Sequence, residues 1–154
     1  MTRKFHSPQQ LEKQLTMIMD NVIRTELKEA IVDIWLQVQQ ERVYDVYSPT
    51  RYERRGDEGG LADPDNIDIV DTIGFKNGVQ YVLENITEGA GDSVGEKINA
   101  LIEGKEGFMK GVGGALPARP YTEEAVQIIN ENPSSVKDAL VKGFARHGIK
   151  INVT

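Results

Sequence analysis

Residues 9–48 contain neither glycine nor proline, and no other stretch constrains the fold as strongly. Apolar residues recur through it at Leu11, Leu15, Ile18, Val22, Ile23, Leu27, Ala30, Ile31, Ile34 and Val38. The steps are mostly three and four, the repeat of one helix face. Ser7 reads as an N-cap, Pro8 suits the first helical position, and Gln10 completes a capping box. The spacing predicts a long helix over 7–42. From Pro8 to Arg42 it would run on the order of 50 Å, against a diameter of roughly 30–40 Å for a globule of this chain length. The plain expectation is a helix lying across the protein's own sheet, with any overhang packed on a neighbouring subunit. Trp35 on this helix is expected in the core.

The helix gives way to VYDVYSPTRYERRGDEGGLADPDN, residues 43–66. Aromatic and β-branched residues come first, then Pro49, three arginines and a run of glycines and acids. This reads as a short extended stretch followed by a long surface loop, and loops of such length are commonly functional. Residues 67–86 read as a β-hairpin. Ile67, Ile69 and Ile73 alternate with Asp68 and Thr72, and Val79, Tyr81 and Leu83 with Gln80 and Glu84. Asn77-Gly78 supplies the tight turn. Simple alternation places Asp68 and Asp71 on opposite faces. Lys97–Glu103 suits a short helix, and 104–118, with five glycines and one proline, a flexible loop.

Two shorter helices follow within 122–147. Thr122 would cap the first, with Glu123 and Glu124 in its first turn. Ser134 or Ser135 would cap the second after Pro133, and Gly148 would stop it behind Arg146 and His147. Ile149, Ile151 and Val153 alternate as a last strand, 149–153. No repeat and no linker divides the 154 residues, so 1–154 is expected to be one α+β domain: a long N-terminal helix on a small antiparallel sheet, with two C-terminal helices.

Residue types exclude several chemistries. There is no cysteine, hence no disulfide and no thiolate ligand or nucleophile. Zinc catalysis needs about three ligands from a chain whose histidines are His6 and His147. Neither histidine carries the spacing of a triad. GAGDSVGEK, Gly89–Lys97, glances at a phosphate-binding loop, but Gly91 and Gly95 enclose three residues instead of four, Glu96 precedes the lysine, and no hydroxyl follows it for magnesium. Asp63, Asp65, Asp68 and Asp71 lack the calcium-loop pattern. Carboxylates are plentiful, yet none stands out as an acid–base pair. The expectation is no enzyme, no cofactor and no metal.

A net charge of −6 argues against a general nucleic-acid binder. No run approaches the ~20 apolar residues of a membrane span. The opening MTRKFHSPQQ turns polar at once, without the apolar core of a signal peptide, so synthesis in the cytoplasm is expected. The basic–aromatic cluster of Tyr47, Arg51, Tyr52, Arg54 and Arg55 has residue types enriched at protein interfaces. Its flanking Glu53, Asp57 and Glu58 favour ion pairs over phosphate contacts.

VYDVYSPTRYERRGDEGGLADPDNI, a glycine-turn hairpin and then PARPYTEEAVQII resemble, in their order, the tail-completion or head–tail connector (neck) proteins of tailed bacteriophages and prophages. Those proteins open with a long helix, continue through a tyrosine–arginine–arginine … glycine–leucine stretch and a small sheet, and end on an arginine-proline-aromatic motif leading into a helix. The matching residues are Tyr52, Arg54, Arg55, Gly60 and Leu61, then Arg119, Pro120 and Tyr121. The second C-terminal helix and the last strand depart from that pattern. The resemblance implies a virion structural protein, made in the host cytoplasm, without active site or cofactor. It implies a homo-oligomeric ring in the neck or tail that contacts other neck or tail proteins, lets DNA pass without specific binding, and touches no membrane. Tyr47, Arg51, Tyr52, Arg54, Arg55, Leu61, Arg119 and Tyr121 are the candidate interface residues. The alternative is a small bacterial protein-binding or regulatory module acting through the Tyr44–Leu61 loop.

Overall fold

A computed structural model describes residues 7–46, 58–75, 78–88, 102 and 120–153. The fold is α+β: a long N-terminal helix, a two-stranded antiparallel sheet and two shorter C-terminal helices. The segments resembling a phosphate loop (89–97) and reading as glycine-rich loop (104–118) lie outside the described residues, as do 47–57, Lys76, Asn77 and His6. Of the expected 97–103 helix only Ile102 is described.

The long helix starts as read. Ser7 is extended (φ −152°, ψ 155°) and its hydroxyl accepts the Gln10 N–H at 3.3 Å, with Pro8 next in line. The helix then runs on to Tyr44 in four pieces: α1 (Pro8–Val22), a π-helical turn (Ile23–Leu27), α2 (Lys28–Gln39) and a second π turn (Gln40–Tyr44). In each π turn a backbone N–H reaches back five residues, Lys28 to Ile23 and Asp45 to Gln40. The extra residue alters which side chains share a face. Val38 and Val43, five apart, both enter one apolar cluster, which an ordinary helix would not allow. Val43 and Tyr44 therefore end the helix, instead of opening the extended stretch expected there.

The hairpin comprises β1 (Ile67–Phe75) and β2 (Gly78–Asn85). Gly78 already pairs with Phe75 and belongs to the strand instead of the turn. Two features correct the simple alternation. A single 3-10 turn, Pro64–Asn66, leads into β1. Between Ile69 and Asp71 the register slips, because Ile69 pairs with Leu83 and Asp71 with Val82. Val70 is the extra residue of a β-bulge. Side chains directly opposite share a face, so Asp68, opposite Glu84, shares its face with Asp71, opposite Val82. Ile73 joins them and leaves the face of Ile67 and Ile69.

The C-terminal helices are α3 (Tyr121–Glu131) and α4 (Ser134–Arg146). α3 begins at Tyr121, one residue before the expected cap Thr122, and the Glu124 N–H bonds to the Pro120 carbonyl at 3.1 Å. Pro133, not a serine, stands at the cap of α4, and the Ser134 hydroxyl turns away to Asn132 Oδ1 at 2.7 Å. Gly148 (φ 77°) does stop α4. There the Ile149 N–H reverts to the Phe144 carbonyl at 3.0 Å, a bond that folds the chain back over the helix end. Residues 149–153 form no strand.

The chain forms two compact units, one from the segments up to Ile31 and from Ile129, the other from Val32–Ile128. In the first, α4 meets α1 and the π turn through Gly143 and Val22. A methyl group on Gly143 would sit 2.4 Å from Val22 Cγ1, so glycine is what permits this approach. Beside that contact Arg146 holds Glu26 (Nε–Oε1 2.7 Å) and Asn21 (Nη2–Oδ1 2.6 Å), while His147 Nε2 lies 3.0 Å from the same Asn21 oxygen. In the second unit Val38, Val43, Tyr121 and Ala125 form the core cluster, flanked by Ile34, Trp35, Tyr44 and Ile102.

Candidate functional site

The described residues just before the hairpin, from Gly59 to Asn66, are held by a set of hydrogen bonds. Gly59 takes a positive φ of 71°, a conformation that suits glycine. Its N–H bonds to Asp63 Oδ2 at 2.7 Å, and Asp63 Oδ1 accepts the Asp65 N–H at 3.0 Å. Asp63 thus caps and shapes the loop. The Gly60 carbonyl accepts from the Asp63 N–H, from Asn66 Nδ2 (2.9 Å) and from the Thr87 hydroxyl (3.0 Å). The Leu61 carbonyl accepts from Asn85 Nδ2 at 2.8 Å, and Asn85 Oδ1 in turn accepts the Thr87 N–H at 3.1 Å. Asn85 and Thr87 are almost fully buried. Buried amides and hydroxyls are costly unless paired; here their partners are loop carbonyls, so the end of β2 fixes where the loop returns.

The sequence-predicted interface residues fare differently. Leu61 is half-buried and is held through its backbone. Tyr121 is corrected from surface to core. It is fully buried, edge-on to Trp35 with ring centroids 6.5 Å apart and planes at 61°, and an aromatic ring so placed belongs to packing. Trp35 flanks that core as expected. Tyr47, Arg51, Tyr52, Arg54, Arg55 and Arg119 lie outside the described residues.

Two ion pairs change the acidity of a member side chain. The Arg42 guanidinium grips Glu124 on α3, Nε to Oε2 at 2.7 Å and Nη2 to Oε1. That hydrogen bond and the carboxylate's charge hold Arg42 above the ordinary arginine range. The Thr25 hydroxyl, first, holds the Glu26 carboxyl below the usual glutamate range; burial opposes it, and the Glu26 backbone N–H and Arg146 add smaller lowering effects. Both pairs tie helices together. Among the described residues no three of His, Asp and Glu are grouped so as to hold a metal ion, and no helix is long and apolar enough to cross a membrane.

Surface apolarity is the remaining signal. Leu11 (39% exposed) and Leu15 (41%) continue the stripe of buried Ile18 and Val22 toward the start of α1. On the hairpin, Val70 (45%) and Ile73 (41%) lie open on the face that carries Asp68, Asp71 and Glu84. Sequence reading missed Asn85 and Thr87 as anchors; a polar pair at the end of an otherwise alternating strand was the available sign. It also missed the bulge, which has no composition of its own.

Compared with known proteins, the chain matches the family model YomN over residues 7–146. No curated protein and no solved structure gives a significant match.

Proposed function

The chain belongs to the YomN family, which is associated with phages and prophages, and from that membership we propose that it is a virion structural protein of a tailed phage. In this reading it forms part of the neck or tail as an oligomeric ring that completes the tail or joins it to the head. It works through its surfaces, without catalytic centre or cofactor, and binds copies of itself and other neck or tail proteins. It is made in the host cytoplasm and ends in the particle. DNA passes it without specific binding, in keeping with its net charge of −6.

The family match over nearly the whole chain carries this reading. The exposed apolar residues on α1 and on the hairpin support an assembling role, because such residues, when contiguous, mark association surfaces. The long helix suits a subunit with a neighbour packed along it.

Mass spectrometry of purified phage particles, paired with electron microscopy of a deletion strain, tests the proposal. The expected result is several copies of the chain per particle, and separate heads and tails without it. Normal particles from the deletion strain, with the chain recovered only in a complex with one soluble host protein, would instead favour the regulatory module acting through Tyr44–Leu61.

A further inference from the structure

We infer that α4 is an exchangeable arm: in the assembled ring each copy lays its α4 on α1 and the first π turn of the next copy, in place of its own. The inference rests on the assembling role proposed above and names the contact.

The join between α4 and the helix before it is slight. α3 ends at Glu131 and α4 starts at Ser134, so Asn132 and Pro133 alone make the corner. Pro133 forbids one continuous helix across it, and α4 packs on α1 and the first π turn rather than along α3. Swinging the corner open therefore disturbs little of α3. The hold of α4 on its bed is also slight. Gly143 is its one buried residue, while Val136, Ala139, Leu140 and Phe144 stay half-buried. Partial burial yields only part of the transfer free energy of such side chains. Arg146 and His147 supply the polar contacts, to Glu26 and Asn21, and the Arg146 side chain is itself half exposed. An ion pair with an exposed partner contributes little.

The bed is nonetheless specific. A Cβ at Gly143 would meet Val22 Cγ1 at 2.4 Å and Glu26 Oε2 at 3.1 Å. Its occupant must be a helix with glycine at that point, then an arginine placed as Arg146 and a histidine placed as His147, to meet Glu26 and Asn21. The α4 of another copy meets all three conditions. It re-forms in trans each contact that is given up in cis, so the exchange is close to neutral in contacts while it links neighbours through the chain itself. Handing α4 from copy to copy makes a heterologous, head-to-tail contact, the type that closes into rings.

One doubly substituted chain tests the exchange. The protein has no cysteine, so Asn21→Cys with His147→Cys places two thiols where the native side chains meet at 3.0 Å, within reach of a short bismaleimide. The reagent is applied to dilute monomer and to the assembled fraction, and each is run on a denaturing gel. The expected result is that the dilute chain closes on itself and keeps the mass of one subunit, whereas assembled chains become covalent multimers. Assembled chains that still run as single subunits, or that do not cross-link, overturn the exchange and leave the ring proposal standing. Where that variant does not assemble, charge reversal decides. Glu26→Arg chains and Arg146→Glu chains, each checked by far-UV circular dichroism for wild-type helix content, should assemble at least ~10-fold more weakly than wild type. An equimolar mixture should recover, because each α4 then meets the opposite charge on the other variant. Either variant assembling like wild type, or a mixture without recovery, overturns the exchange. A wild-type chain that is monomeric at every concentration overturns both.

Discussion

The two units hold their share of the long helix by different physics. In the segments up to Ile31 and from Ile129, a glycine contact at Gly143–Val22 is locked by a polar set, with Arg146 serving Glu26, Asn21 and Thr25. In Val32–Ile128 the work is done by Val38, Val43, Tyr121 and Ala125, with Trp35 against Tyr121. The contrast teaches that fully buried apolar side chains are few. The core consists of eight described hydrophobic residues, two of them, Ile18 and Val22, in the polar-locked unit. That unit should respond to charge and pH, and the other to lost volume.

The largest effect is expected at Tyr121. Tyr121→Ala empties the centre of the apolar cluster and should cost about 3–5 kcal/mol, as truncation of buried aromatics does, read as a lower urea midpoint at unchanged slope. Gly143→Ala should cost about 1–3 kcal/mol, because Val22 must move from a 2.4 Å approach. A substitution there without effect would mean that α4 slides freely, and the glycine contact would lose its place in the account. Gln39 offers the opposite sign. It is fully buried, and among the described residues neither of its amide atoms nor Trp35 Nε1 has a hydrogen-bond partner. Gln39→Met should therefore raise stability by about 1–2 kcal/mol, since an unpaired buried amide is replaced by an apolar chain of similar size.

The smallest effect is the acid response of the Glu26–Arg146 pair. Glu26 is lowered in the folded protein from its ordinary 4.5. A lowered carboxyl contributes stability in full above its unfolded value and loses it as pH falls through the folded value. Thermal unfolding from neutral pH downward should show a loss beginning near 4.5 that Glu26→Gln abolishes. Tyr121→Ala should leave that acid slope unchanged, which is the sharpest separation of the two regions.

Much of this was legible in the residues. Ser7, Pro8 and the three–four spacing announced the helix, and the alternation of Val79, Tyr81 and Leu83 announced β2. The π turns and the bulge were not legible, because each inserts one residue through hydrogen bonding that no side chain dictates. Their consequences were therefore misread, from the extended state expected at Val43 and Tyr44 to the separation of Asp68 from Asp71. Tyr121 was misplaced for another reason. An aromatic beside Arg119-Pro120 fits an interface and a core equally well in sequence, and only its packing on Trp35 decides. Alternation in Ile149, Ile151 and Val153 suggested a strand, but Gly148 and the Ile149–Phe144 bond commit the chain to cover the end of α4. For the candidate site, the Tyr47–Arg55 cluster was visible as composition, while the hold of Asn85 and Thr87 on Gly60 and Leu61 depended on contacts across more than twenty residues.

The most direct test of the central claim is the mass of the native assembly across a dilution series. The account predicts a closed species at a fixed integral multiple, greater than two, of 17.1 kDa, dissociating cooperatively on dilution. A single 17.1 kDa species at every concentration, joined by no phage component when particle lysate is added, would contradict it.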